Sequence, residues 1–323
     1  MSKLFSTQEI HIEISSKCTL KCPRCPRTEL SPDGLNGEFS LLDFQRSFPV
    51  STLTNIKRLI FCGDIGDPIY ATEFLDIIQY IKNSSSTQIV IITNGSYKKT
   101  HWWTSLGALL TAKDVIRFSV DGWDNASNNL YRVNSNFESI IEGIKAVRAS
   151  SECRIIWSTI YFQFNENKIE EIRALAESLG CDEFQTVQST KFDGRYLVDG
   201  VDRLKPVNMT NVSKSPVYQT TRYPLNDKQI HAIIKDNPVS CHSWAKCLQW
   251  QKEMFINVDG LVFPCPWFNA GYQENKFVQK HKDKLNVKLR SLDDVLNDPI
   301  WDEFVSMLET SPLEVCKIKC KNV

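Results

Sequence analysis

The string C-T-L-K-C-P-R-C sets Cys18, Cys22 and Cys25 at a C-x3-C-x2-C spacing on a short loop. Three soft thiolates can hold three irons of a [4Fe-4S] cubane and leave the fourth iron open to a small molecule. A zinc knuckle is the alternative, but zinc prefers four ligands and no neighbouring His or Cys completes the set. The chain has 11 cysteines, and a second group of five follows residue 240: Cys241, Cys247, Cys265, Cys316 and Cys320. Four thiolates saturate one [4Fe-4S] cluster or hold one structural zinc, so this group reads as a closed metal site of either kind. Two groups with a cysteine-poor middle point to metal sites rather than to disulfide staples.

The elements that must position these residues follow from periodicity. Glu9 to Ile14 (E-I-H-I-E-I) alternates apolar and polar, a strand that ends where the first cysteine loop begins. Further strands are expected at Arg58–Cys62, Gln88–Thr93, Val115–Val120, Ile155–Phe164 and Glu183–Gln188. Helical spacing falls between them at Thr72–Lys82, His101–Leu110, Asn136–Arg148 and Asn165–Leu179, the last ending at Gly180. Ser40 opens a further helix with a Ser-x-x-Asp cap.

Six strands alternating with helices argue for a parallel sheet, either an open doubly wound sheet or a partial barrel. In both, the loops at the carboxyl ends of the strands share one mouth. That mouth collects the first cysteine loop, Gly63 to Pro68, Thr93 to Gly95 and Ser119 to Gly122.

From Val201 to Ser240 the rhythm gives way to Pro, Asn, Thr and Ser, with one short helical pattern at Asp227–Lys235. Beyond it, M-F-I-N-V-D-G-L-V-F reads as a hairpin turning at Asp259-Gly260. A helix ending near Glu309 then places Trp301, Phe304 and Leu308 on one face, to pack on the small sheet. The expected organisation is a first domain over residues 1–200, a linker or crossover over 201–240, and a metal-binding domain over 241–323.

The C-x3-C-x2-C loop after a first strand, with the other loop strings in the same order, resembles the radical S-adenosylmethionine superfamily over nearly the whole chain. The resemblance implies a partial (β/α)6 TIM-like barrel whose [4Fe-4S] cluster binds S-adenosylmethionine and cleaves it to a 5'-deoxyadenosyl radical. F-C-G-D-I-G-D-P resembles the family's Gly-Gly-Glu-Pro element. Gly66 and Asp67 stand at its core, Asp67 is expected to accept hydrogen bonds from the methionine ammonium, and Asp64 is close enough to compete.

Asn94 in T-N-G, Ser119 in F-S-V-D-G and Arg132 in Y-R-V match positions of polar contacts to the cosubstrate, the last two toward ribose or carboxylate. Val187 is a core residue or a neighbour of adenine. Arg24 departs from the aromatic residue the family often has before its third cysteine.

The later cysteines resemble the SPASM and twitch extensions, which hold auxiliary iron-sulfur clusters. This implies one auxiliary [4Fe-4S] cluster on Cys241, Cys247, Cys265 and Cys320, with Cys316 as the alternative to Cys320. Trp244, Trp250 and Trp267 flank that set and read as shielding it. Cys153 and Cys181 read as small buried hydrophobes, whereas Cys62, at a strand end by the mouth, is a candidate hydrogen-atom donor to a substrate radical.

Lys plus Arg (38) equals Asp plus Glu (38), so no overall field draws the chain to nucleic acid or an anionic membrane. With no signal-peptide pattern and no long apolar run, a cytoplasmic location is expected. Implied partners are S-adenosylmethionine, a reductant such as flavodoxin or ferredoxin, and a substrate that is either a peptide or protein or a small molecule. The first strand starts by about residue 9, so no leader-binding domain is expected before it. The contrasting class is a non-catalytic metal-binding scaffold, holding zinc or iron-sulfur.

Overall fold

The computed structural model describes residues 9–29, 37–188, 204–206, 253–269 and 275–310, together with Cys247, Gln273, Cys316 and Cys320. The segment 207–246, including the helical pattern at Asp227–Lys235, lies outside the described residues, as do Cys241, Trp244 and Trp250.

Six strands are parallel: β1 (Glu9–Ile12), β2 (Arg58–Phe61), β3 (Gln88–Thr93), β4 (Val115–Ser119), β5 (Arg154–Ile160) and β6 (Glu183–Val187). They run in chain order, each next to the one before, and β7 (Glu253–Ile256) and β8 (Val262–Phe263) extend the sheet past β1. The sheet does not close on itself, which is the partial-barrel solution.

The alternation read in the sequence sets the faces. Ile10, Ile12 and Ile14 are fully buried in one large core with Leu59, Phe61, Ile89, Ile91, Ile116, Phe118, Ile155 and Trp157. Helices α1 (Leu41–Ser47), α2 (Phe74–Ser84), α3 (Thr100–Leu109), α4 (Phe137–Ser150) and α5 (Ile169–Ser178) place their buried stripes on that core.

Their ends follow local chemistry. Ser40 caps α1 by accepting from Asp43 N while Asp43 reaches back to the cap, and Asn136 caps α4 by accepting from Ser139 N. After α5, Gly180 takes the left-handed conformation (φ 79°) that a side chain would resist.

The hairpin forms with Gly260 at φ 89°, but it is not a separate small sheet. β7 pairs in parallel with β1, from Glu9 opposite Glu253 to Ile12 opposite Ile256. The C-terminal hairpin therefore continues the main sheet, and α6 (Ile300–Thr310) packs on the same core through Trp301, Phe304 and Leu308. A hairpin in isolation cannot cover its own edge, and the free edge of β1 supplies the partner.

Candidate active site

Because β1 to β4 are parallel, their carboxyl ends deliver four loops to one edge of the sheet. The cysteine loop follows β1 and is fastened to the loop after β2 at several points. Asp67 N donates to Lys17 O (2.9 Å), and the Arg27 guanidinium reaches Ser16 O and, at 3.5 Å, Ile65 O. The loops approach so closely that a Cβ on Gly66 would sit 1.7 Å from Ser15 O, which is why glycine stands there. Tyr70 adds a third tie, its hydroxyl 2.8 Å from Thr19 Oγ1 and donating to Ser96 O at 2.7 Å.

Cys18, Cys22 and Cys25 share a pocket with Leu20, Tyr131, Phe162 and Leu204. The Cys18 sulfur accepts from Leu20 N (3.4 Å) and from the Asn94 side-chain amide (3.7 Å), while the Cys25 thiol donates to Asp64 O (3.8 Å). Burial pushes the Cys18 thiol up to about 12 and the Cys22 thiol up to about 11, the nearby Arg132 guanidinium pulling the latter down. Such a pocket disfavours bare thiolates and suits a cationic group that brings its own positive charge.

Among the described residues, the one group of three His, Cys, Asp or Glu donors lying within 4.8 Å of one another is Glu9, His11 and Glu253, with no cysteine in it.

Asp67 is buried and accepts from Thr93 Oγ1 (2.9 Å), Asn94 N (2.7 Å), Asn94 Nδ2 (2.5 Å) and Ile69 N (3.2 Å). Burial lifts its carboxyl to about 6 against those bonds. These contacts stitch the loop after β2 to the loop after β3, and they put Asn94 beside Cys18. Arg132 is half-buried against the fully buried Asp121, Nε to Oδ2 at 2.6 Å. Burial works against its charge, yet Asp121 and Cys22 hold the guanidinium protonated. Ser119 ends β4, half-buried and in register with Ser158 of β5.

Val187, 39% exposed, is not a core residue. Cys62, half-buried at the end of β2, has its sulfur 4.0 Å from His11 Nδ1. Cys153 is fully buried and Cys181 packs against the core. Arg24 is buried.

Spacing alone does not single out Glu13. It follows β1, is fully buried, and accepts from Ile65 N (2.7 Å) and Gly66 N (3.3 Å) through Oε1, while Oε2 has no hydrogen-bond partner among the described residues. Desolvation raises its carboxyl to about 7, with the Asp64 charge adding to the rise. Asp121, in F-S-V-D-G, is likewise missed by the motif reading, although a carboxylate at a strand end beside a matching Arg is visible in the sequence.

At the other end of the chain, Cys247, Cys265, Cys316 and Cys320 all pack against the main core. Burial raises the Cys247 thiol well above its ordinary value, and Cys265, Cys320 and Cys316 each add to that rise. Cys265 is pushed up to about 11, first by burial, with Cys320 again contributing. The four thiols thus form one electrostatic neighbourhood, in which both members of the terminal C-x3-C pair act on Cys247. Trp267 is 52% exposed and does not shield them.

Residues 247–321 match the SPASM iron-sulfur cluster-binding domain. The chain is 22% identical over 92% of its length to a tungsten-containing aldehyde ferredoxin oxidoreductase cofactor-modifying protein of Pyrococcus furiosus, covering 83% of that protein. It is 25% identical to a GTP 3',8-cyclase of Yersinia pestis over 42% of this chain and 41% of the cyclase.

Among solved structures, Streptococcus suis SuiB bound to S-adenosylmethionine superposes with a TM-score of 0.58 at 16% identity, over 93% of this chain and 68% of SuiB. Native anSMEcpe with bound AdoMet gives 0.54 at 16% identity, over 93% and 83%. The fold is that of these S-adenosylmethionine-bound structures, and the matched domain is a SPASM-type iron-sulfur extension. Among the described residues, no helix is long and apolar enough to cross a membrane.

Proposed function

We propose that Cys18, Cys22 and Cys25 hold the cluster that binds S-adenosylmethionine, and that the enzyme abstracts hydrogen from a substrate carbon, leading to its oxidative modification. The observation that carries this reading is the lacing of the triad to Gly66, Asp67 and Asn94 at the carboxyl ends of β1 to β3. Cys18, Cys22 and Cys25 would hold that cluster, which when bound would supply the electron for reductive cleavage of the sulfonium.

The chain's own residues do the positioning. Gly66 lets backbone approach backbone, Asp67 and Asn94 fix the second and third loops around Cys18, and Asp121 holds Arg132 charged beside Cys22. A carboxylate of the cosubstrate would find its complementary charge in that guanidinium, with Ser119 and Asn94 as further polar contacts. Cys241, Cys247, Cys265 and Cys320, with Cys316 as the alternative terminal ligand, are proposed to hold one auxiliary [4Fe-4S] cluster.

A peptide or protein segment is the favoured substrate class. SuiB is also solved bound to a precursor peptide, at a TM-score of 0.58. A small molecule remains the second class, since one relative acts, by its name, on a cofactor.

Iron and sulfide counting tests the two-cluster arrangement. About eight irons per reconstituted chain are expected, falling to about four when Cys18, Cys22 and Cys25 are replaced by Ala. About four irons with one zinc in the unaltered chain would contradict the auxiliary cluster.

A further inference from the structure

Eight large hydrophobic side chains stand exposed among the described residues; Val133 (36%) adjoins the first cysteine loop, Leu130 (50%) lies three residues before it in the same turn, and Tyr97 (46%) reaches the neighbouring Asn134. One backbone and one side-chain hydrogen bond tie this segment to that loop. Lys21 N donates to Val133 O (2.9 Å), and Asn134 Nδ2 donates to Thr19 O (2.8 Å). The Tyr97 hydroxyl in turn donates to Asn134 Oδ1 at 3.5 Å.

Tyr97 and Asn134 are the two non-glycine residues with positive φ among the described residues, at 65° and 68°. That conformation is disfavoured for a residue with a Cβ, less so for Asn than for Tyr. At Tyr97 it is held by Ser139 Oγ, which accepts the backbone N–H, and the ring is left half outside. Strain that presents an aromatic ring to solvent serves contact rather than stability.

Charge at this spot departs from the balance of the whole chain. Residues 17 to 27 contain Lys17, Lys21, Arg24 and Arg27 and no acidic residue, and Tyr97 is followed by Lys98 and Lys99. Lys17 is paired with Glu38, Arg24 is buried and Arg27 turns inward to Ser16 O. Lys21 and Lys99 remain exposed without an ion pair among the described residues. Lys98 lies over the Trp102 ring at 4.7 Å. The one acid in the cavity beside Tyr97 and Lys99 is Glu142, which pairs with Lys145.

We propose that Tyr97, Leu130 and Val133, rimmed by Lys21, Lys98 and Lys99, form the docking site of an acidic one-electron carrier protein that reduces the adjacent cluster. The inference rests on the function proposed for the cysteine triad. In the step, the carrier loses one electron and the cluster gains it, with no bond made or broken. A small apolar centre inside a basic rim fits a transient redox encounter, which buries little area and is steered by charge.

Lys99→Glu and Leu130→Ser test this in the cluster-loaded full chain. Both side chains are exposed, and an acid at the N-cap of α3 agrees with the helix dipole. Binding of a purified acidic flavodoxin, measured by titration, is expected to weaken about tenfold in either variant and to weaken in the unaltered protein as salt rises. Formation of 5'-deoxyadenosine driven by flavodoxin is expected to fall with it, while turnover driven by dithionite, which needs no docking site, stays within about twofold.

Equal flavodoxin affinity in the variants and the unaltered chain, or affinity indifferent to salt, overturns the docking site. Failure of dithionite turnover in the unaltered protein would instead overturn the proposed function, and the binding titration still decides the surface.

Discussion

Glu13 shows how much of this site depends on a residue that spacing cannot reveal. Its carboxyl is raised from 4.5 to about 7, first by burial, while one oxygen holds the loop after β2. An acid with a raised pKa is stabilised in its protonated form by folding. Its contribution is therefore complete below about pH 4.5 and is lost as pH rises through about 7. For Glu13→Gln, which keeps the acceptor oxygen and cannot ionise, that loss disappears.

Between about pH 5.5 and 8 the unaltered protein should lose about 2 kcal/mol more stability than the variant in urea unfolding. Parallel pH profiles would show that Glu13 does not carry the charge penalty. The C-x3-C-x2-C spacing of Cys18, Cys22 and Cys25 is legible in the sequence because it is local. The bonds from Asp67 to Thr93 and Asn94 were not, since they join positions 26 and 27 residues apart.

At the scale of elements, the alternation in Q-I-V-I-I-T gave β3 with the bounds the structure has, and the helix caps at Ser40 and Asn136 formed as their types require. Helix and strand periods are local, so they survive into the fold. The partner of β7 is a different matter. Its parallel register with β1 depends on an edge set far earlier in the chain, and nothing in M-F-I-N specifies it.

The C-terminal helix α6 then packs on this enlarged core. Phe304 is fully buried, edge-on to Trp301 at 5.8 Å and to Phe268 at 5.4 Å, and Phe268 lies three residues after Cys265. Phe304→Ala should cost about 3 to 5 kcal/mol in denaturant unfolding. It should also lower iron retention in the later cysteine group before the first. A cost near zero would mean that α6 does not brace that end of the core.

At the scale of the whole molecule, the described residues join eight strands in one sheet, with Cys18, Cys22 and Cys25 on the loop after β1 and Cys247, Cys265, Cys316 and Cys320 packed against the large core. The hairpin after residue 250 reads in the sequence as a small sheet of its own, because strand periodicity shows a strand and not its partner, whereas β7 adds to the edge of β1. Through β7, the hairpin that precedes Cys265 belongs to the same sheet as the strand that precedes Cys18.

The central claim is that the Cys18, Cys22 and Cys25 loop generates a radical from S-adenosylmethionine. Anaerobic reconstitution, followed by dithionite and S-adenosylmethionine, tests it most directly. The account predicts 5'-deoxyadenosine from the unaltered chain and none when the three cysteines are replaced by Ala. No 5'-deoxyadenosine from protein verified to hold its iron and sulfide, or equal amounts from the replaced chain, would contradict it.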